Sequence, residues 1–181
     1  MKSLKITALL ATLTLLAGCS SSSSESAQSI VMTSPTACEI QSLVDAFDAA
    51  VPGSQYVPTA WQPSEGTDLY DAINSGGIAC SYGIQVAEVG GTVLFGNLDL
   101  AQWEKKKAQW LQAGQIAVDL PGIDESDAVM LKEGSTGADE MHIWGVNLFI
   151  QGVWIQVNAS FLQNLDEALP IIEAAISALA K

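Results

Sequence analysis

The sequence predicts an α+β domain: an antiparallel sheet of about five or six strands with helices packed on it. Three observations carry this. Segments with apolar residues at every second position meet two-residue turn signals at Gly90-Gly91 and Gln151-Gly152. Such tight turns join antiparallel neighbours, since parallel ones need long crossovers. Segments with helical apolar spacing lie before, between and after these strands. The third observation is size: residues 35–181 have the length of one domain with one core, and no internal repeat divides them.

The chain opens with Lys2 and Lys5, an apolar run from Ile6 to Leu16, and then Leu16-Ala17-Gly18-Cys19. A charged start, a short apolar centre and small residues before a cleavage point make a secretory signal. The apolar run is well short of the roughly 20 residues that cross a bilayer. Ser20 to Ser24, with Glu25 and Ser26, then end it. Leu-Ala-Gly-Cys at this position resembles the lipobox of bacterial lipoproteins. The resemblance implies that residues 1–18 are removed as a signal peptide and that Cys19 is acylated by diacylglycerol. The mature chain would then hang from the cell membrane on its extracytoplasmic side, two acyl chains sufficing for stable attachment. Residues 19–34 are accordingly the lipidated Cys and a Ser-rich tether, with a reach of about 20 Å for a flexible chain of that length.

The domain elements follow in order. Thr36-x-x-Glu39 has the pattern of a capping box, and Ile40, Leu43, Val44, Phe47 and Val51 recur at helical spacing until Pro52-Gly53. Residues 52–66 hold three prolines together with Tyr56 and Trp61, and read as a long loop. A short helix is expected over Thr67 to Asn74. Ile78, Cys80, Tyr82, Ile84 and Val86 alternate as one face of a strand, which turns at Gly90-Gly91 and returns over Thr92 to Gly96. Asp99 with Gln102 caps a helix whose buried stripe is expected to be Leu100, Trp103, Trp110 and Leu111, ending at Gly114.

Short strands are expected over Ile116 to Leu120 and Ala128 to Lys132, the second followed by the turn-rich Glu133-Gly134-Ser135-Thr136-Gly137. The clearest hairpin joins Met141–Ile150 to Val153–Ser160. A last amphipathic helix carries Leu165, Leu169, Ile172, Ile176 and Leu179, either beginning or bending at Pro170, which has no amide to donate. In this layout the mature part resembles small, mostly uncharacterised actinobacterial lipoproteins, with a helix-borne Cys38, Ile78-Ala79-Cys80-Ser81-Tyr82 on a strand, and a final hairpin and helix. That resemblance brings no chemistry with it.

With Cys19 claimed by lipid, Cys38 and Cys80 remain in an exported and oxidising setting, where two thiols most simply form one disulfide. The alternative is a metal or catalytic thiol. Neither Cys lies in a Cys-x-x-Cys, and the single His is far off at position 142.

Removing the leader leaves five lysines and no arginine against 20 acidic residues, a formal charge of −15. Phosphate binding rests on Lys and Arg, so nucleic acid is excluded as a partner. The one basic cluster, Lys105-Lys106-Lys107, reads as a solvated helix face.

Motifs that carry chemistry are scarce. His142 is alone in an alternating strand, and a triad needs a base that titrates near neutrality. There is no nucleophile elbow, phosphate loop or His-Glu-x-x-His helix. Glu65, Asp68 and Asp71 beside the aromatic loop keep a carboxylate pair for glycoside hydrolysis open. The acidic turn Asp124-Glu125-Ser126-Asp127 has oxygens for Ca²⁺ but lacks the spacing and glycine of a calcium loop. Of the five tryptophans, Trp61 alone falls in a loop. With Tyr56 it is the candidate ligand-binding pair, since such rings serve as interaction anchors.

The expectation is therefore a membrane-anchored, non-enzymatic envelope binding or accessory module without a cofactor. Its partners would be the membrane, through the N-terminal lipid, and an envelope protein or small molecule. The alternatives are a glycan-acting enzyme using carboxylates at 65–71, or a carrier holding a lipid between sheet and helix.

Overall fold

The computed structural model describes residues 32–123, 127–132 and 144–180. Helix α1 (Gln41–Ala50), strand β1 (Gln55–Val57) and helix α2 (Asp68–Asn74) lead into a hairpin of β2 (Ile78–Ile84) and β3 (Val89–Asn97). Helix α3 (Leu100–Gln112), strand β4 (Ile116–Ala117) and strand β5 (Asp127–Lys132) follow. The hairpin β6 (Trp144–Ile150) and β7 (Val153–Ala159) then leads to helix α4 (Leu165–Ser177).

The strands form one antiparallel sheet in the order β1-β2-β3-β7-β6-β5-β4. The α+β expectation holds, with seven strands among the described residues rather than five or six. The additional strand is β1, inside the expected loop. Three residues bounded by Pro52-Gly53 and Pro58 are too few to display an alternation, so only pairing with β2 makes them a strand.

Helices cover both faces, because the central strands are apolar on both. On one side α1 and α4 pack over Phe95, Val146, Leu148, Ile155 and Val157, which meet Leu43, Phe47, Ile171 and Ile172. On the other, α2 and α3 pack over Leu94, Val129 and Trp154, which meet Ala72, Trp103 and Trp110. Cys38 and Cys80 are joined in a disulfide, with Cα atoms 5.3 Å apart, tying the approach to α1 onto β2.

Several local expectations change. Residues 36–39 do not start a helix: α1 begins at Gln41 with no side-chain cap, and the Ile40 amide donates to Cys38 O. The β2–β3 turn lies at Gln85–Glu88, with Glu88 left-handed (φ 54°), and Val86 there is fully in solvent. Gly90 and Gly91 instead sit inside β3, opposite Gly83 and Tyr82. A Cβ on Gly90 would fall 2.5 Å from Tyr82 O, and one on Gly91 would fall 2.4 Å from Asn158 O. These glycines mark close backbone approach, not the turn.

In α3, Trp103 and Trp110 are buried, whereas Leu100 and Leu111 are 64% and 41% exposed. Two indoles already fill the space above the sheet, so the stripe is narrower than expected. The Asp99–Gln102 capping box is present, and Gly114 (φ 95°) follows the helix. The expected strand 116–120 is shortened to Ile116–Ala117, with one further backbone bond from Val118 N to Ala128 O. Helix α4 starts at Leu165, capped by Asn164, with Pro170 inside it. Glu133 to Ile143, including His142, and Asp124 to Ser126 lie outside the described residues, as do residues 1–31, on which the expected signal peptide, Cys19 and most of the expected tether fall.

The chain enters the domain at one pole. Thr33 pairs with Ala180, Met32 N donates to Gln151 O, and Ser34 donates from its amide and hydroxyl to Asn97 Oδ1. Asn97 in turn donates to Ser75 O and Gly76 O at the end of α2.

Candidate functional site

Strand β7 places Trp154, Gln156 and Asn158 on the α2/α3 side of the sheet, and β6 adds Asn147 beside them. Asn147 and Gln156 are buried, so their polar atoms must find partners inside the protein. They do. Asn147 Oδ1 accepts from Trp154 Nε1 at 3.0 Å and from Gln156 Nε2 at 2.8 Å, and Asn147 Nδ2 donates to Gln115 Oε1. Asn158 donates to Gln156 Oε1, and Gln156 Nε2 also reaches Asp68 Oδ2 at 2.7 Å.

Asp68, in the first turn of α2, links this network to α3. Its Oδ2 accepts from Trp110 Nε1 at 3.2 Å and its Oδ1 from Lys106 Nζ at 2.8 Å. Lys106 Nζ also lies 2.7 Å from Asp71 Oδ2, and over the Trp154 and Trp110 rings at 4.6 and 5.3 Å. A single shielded ammonium thus sits among two carboxylates and two indole faces, which are the groups that stabilise a cation out of water. A second unit lies nearer β5, where Asp127 accepts from Lys107 and from Trp103 Nε1. Burial pushes the Asp127 carboxyl up. The hydrogen bonds from Lys107 and Trp103 and the Lys107 charge outweigh this and hold it below the usual carboxylate range.

The basic cluster is therefore not one solvated face. Lys106 and Lys107 each hold carboxylates, while Lys105 has no carboxylate within ion-pair distance among the described residues. Above the network, a groove of about 440 Å³ runs between α2 and α3. One wall is Gln102, Lys105, Lys106 and Gln109, which recur at helical spacing along α3 beside its core stripe. The facing wall is Gly66, Asp71, Asn74 and Ser75, with Leu98 at one end. That end adjoins Asn97, where the chain enters.

The sequence-derived candidates fall as follows. Tyr56 and Trp61 are not brought together. Tyr56 lies in β1, half-buried against the α1/α4 core, its ring centroid 6.1 Å from that of Tyr82. Trp61 packs on the opposite, α2/α3 side, and its indole donates to Ala79 O at 2.8 Å. Both rings have packing duties that the local pattern did not require. Of the three carboxylates, Asp68 and Asp71 converge, but on the Lys106 ammonium, which stands between them. Glu65 is exposed, 3.5 Å from the Tyr70 hydroxyl. Tyr82, whose phenol is pushed up by burial and then by Tyr56, donates its hydroxyl to Cys38 O.

Among the described residues no cluster of three or more His, Cys, Asp or Glu is arranged to hold a metal, and no helix is long and apolar enough to cross a membrane. Lys106, Asn147 and Gln156 were missed as a unit. Polar residues at alternate positions of a strand otherwise read as its wet face, and only the covering helices make them buried. A third feature lies on the far side. Between α1 and α4, six apolar residues, Ala46, Ala49, Ala50, Phe161, Leu162 and Pro170, and one carboxylate, Glu167, line a groove of about 300 Å³. Comparison with protein-family models, curated proteins and solved structures finds no match to this chain, so the geometry alone carries its functional reading.

Proposed function

We propose that the chain is a lipoprotein held by lipid on Cys19 at the extracytoplasmic face of the cell membrane. Its domain is a non-enzymatic binding or accessory module of the envelope, working without a cofactor. The observation that carries the binding role is the α2/α3 groove, which lies within the usual range of roughly 300–1,000 Å³ for small-ligand sites. It opens beside Asn97, where Ser34 brings in the tether.

Binding is favoured over glycan hydrolysis by the state of the carboxylates. A hydrolase needs one carboxyl free to give its proton to the leaving oxygen. Here Asp68 accepts from Lys106, Trp110 and Gln156, the Lys106 ammonium also ion-pairs with Asp71 Oδ2, and Glu65 stands on the surface beside Tyr70. A carrier role is the second reading, supported by the mostly apolar α1/α4 groove, with Glu167 in its lining, at the lower limit of ligand-site volume.

Two measurements test the proposal. Fractionation of cells carrying Cys19→Ser should find the protein soluble or unprocessed; normal processing with membrane retention overturns the anchor. Hydrogen exchange on the full chain with detergent-solubilised envelope should protect residues 66–75 and 98–109. Protection confined to α1 and α4 instead supports the carrier, and no protection anywhere overturns both binding readings.

A further inference from the structure

The α2/α3 groove holds two opposite charges that do not pair with each other. Lys105 lines the α3 wall, and among the described residues it has no carboxylate within ion-pair distance. Asp71 lines the α2 wall with its side chain 44% exposed. One of its oxygens, Oδ2, is held by Lys106, and Oδ1 carries no hydrogen bond within the described residues. Around this pair stand side-chain amides with capacity unspent on the protein: Asn74 and Gln109 make no side-chain hydrogen bond among the described residues. Gln102 uses only its oxygen, accepting from Asp99 N.

The polar groups immediately beneath are the opposite case. Asn147, Gln156 and Asp68 are occupied by one another and by Trp110, Trp154 and Lys106. The buried layer is satisfied within the protein, whereas Asn74, Gln102, Lys105 and Gln109 above it are exposed and open to a ligand.

Charge narrows what that is. Lys105, Lys106 and Asp71 line the groove and Asp68 lies just beneath it, so these four side chains together are formally neutral in a mature chain of formal charge −15. A polyanion is repelled by the rest of the surface, and a simple cation at Asp71 Oδ1 leaves Lys105 unpaired on the facing wall. A small molecule carrying both charges satisfies both walls without adding net charge.

We propose that this groove binds a small zwitterion of the amino-acid class. Its carboxylate meets the Lys105 ammonium, its own ammonium meets Asp71 Oδ1, and Asn74, Gln102 and Gln109 hydrogen-bond the remainder. This rests on the binding role proposed above and names the ligand class for it. Leu98 offers one small apolar contact at the groove end.

The test is a titration of the full chain in detergent with L-alanine, following amide resonances by NMR. L-Alanine should shift the resonances of Asn74, Gln102, Lys105 and Gln109. Losing one charge-assisted hydrogen bond weakens binding about tenfold or more. N-Acetyl-L-alanine, lacking the ammonium, and L-alanine amide, lacking the carboxylate, should therefore each bind at least that much more weakly. Lys105→Gln should weaken L-alanine binding by the same factor with an unchanged melting temperature, and Lys105→Arg should retain it. Equal binding of all three compounds, or of L-alanine to Lys105→Gln, overturns the assignment. Absence of any shift overturns it too. Hydrogen-exchange protection of the same helices by envelope, without L-alanine binding, sinks the ligand class alone; loss of both signals sinks the binding role as well.

Discussion

Replacing Lys106 by Met keeps an aliphatic stem of similar length but removes the charge that joins α2 to α3. The ammonium lies 2.8 Å from Asp68 and 2.7 Å from Asp71, over the Trp154 ring at 4.6 Å. The lysine side chain is only 11% exposed, whereas those of Asp68 and Asp71 are 30% and 44% exposed. The pairs therefore fall between two limits: about 1 kcal/mol or less for exposed pairs, and about 3–5 kcal/mol for breaking a fully buried one. Asp68 keeps its bonds from Trp110 and Gln156, which limits the loss. Asp71 is half in water, so its share is screened. The cation–π contact adds about 1 kcal/mol.

We therefore expect Lys106→Met to destabilise the domain by about 2–4 kcal/mol, read as the urea midpoint at constant m-value. The melting temperature should fall by roughly 5–12 °C for a domain of this size. With the cation gone, Asp68 and Asp71 repel each other, so adding Asp71→Asn should restore about 1 kcal/mol. A loss below about 1 kcal/mol, or no recovery in the double variant, would refute a shielded, shared cation.

Cys80→Ala should cost about 4 kcal/mol, because the Cys38–Cys80 link closes a 42-residue separation and restricts the unfolded chain. Two free thiols by mass spectrometry in exported protein would contradict the pairing. Trp61→Ala should cost about 2 kcal/mol through lost packing and the lost bond to Ala79 O; a change near zero by chemical denaturation would return Trp61 to a display role. The Asp127 carboxyl sits lower in the folded state than the unfolded value near about 3.9. Its contribution is therefore fully present above that pH and is lost as pH falls through the folded pKa. Asp127→Asn should flatten that acid limb in urea midpoints measured between about pH 2 and 5, and an unchanged limb would contradict the bond with Lys107.

Much of the fold was legible because periodicity is local. Alternation in Ile78–Ile84 and Val153–Ala159 and helical spacing in α1, α3 and α4 are properties of a few neighbouring residues, and each element formed. The α3 capping box was visible for the same reason. One short element escaped: β1 exists through its pairing with β2, and three residues carry no period, while the strand expected over 116–120 formed but is shorter. Gly90-Gly91 misled because glycine serves both turns and close strand contacts, and the sequence does not say which.

The candidate site divides along the same line. Sequence alone determined the chain's acidity, the Leu16-Ala17-Gly18-Cys19 stretch with its likeness to a lipobox, and Cys38 and Cys80 as candidates for one disulfide. These depend on which residues are present and on their order. Tertiary structure decided that Tyr56 and Trp61 lie on opposite faces of the sheet. It also decided that Lys106 is enclosed while its neighbour Lys105 faces a groove, and that Asp68 belongs to a network reaching 88 residues along the chain to Gln156. Burial and pairing are properties of what comes to lie on top of a residue. On a sheet covered from both sides, that covering is supplied by helices far away in sequence.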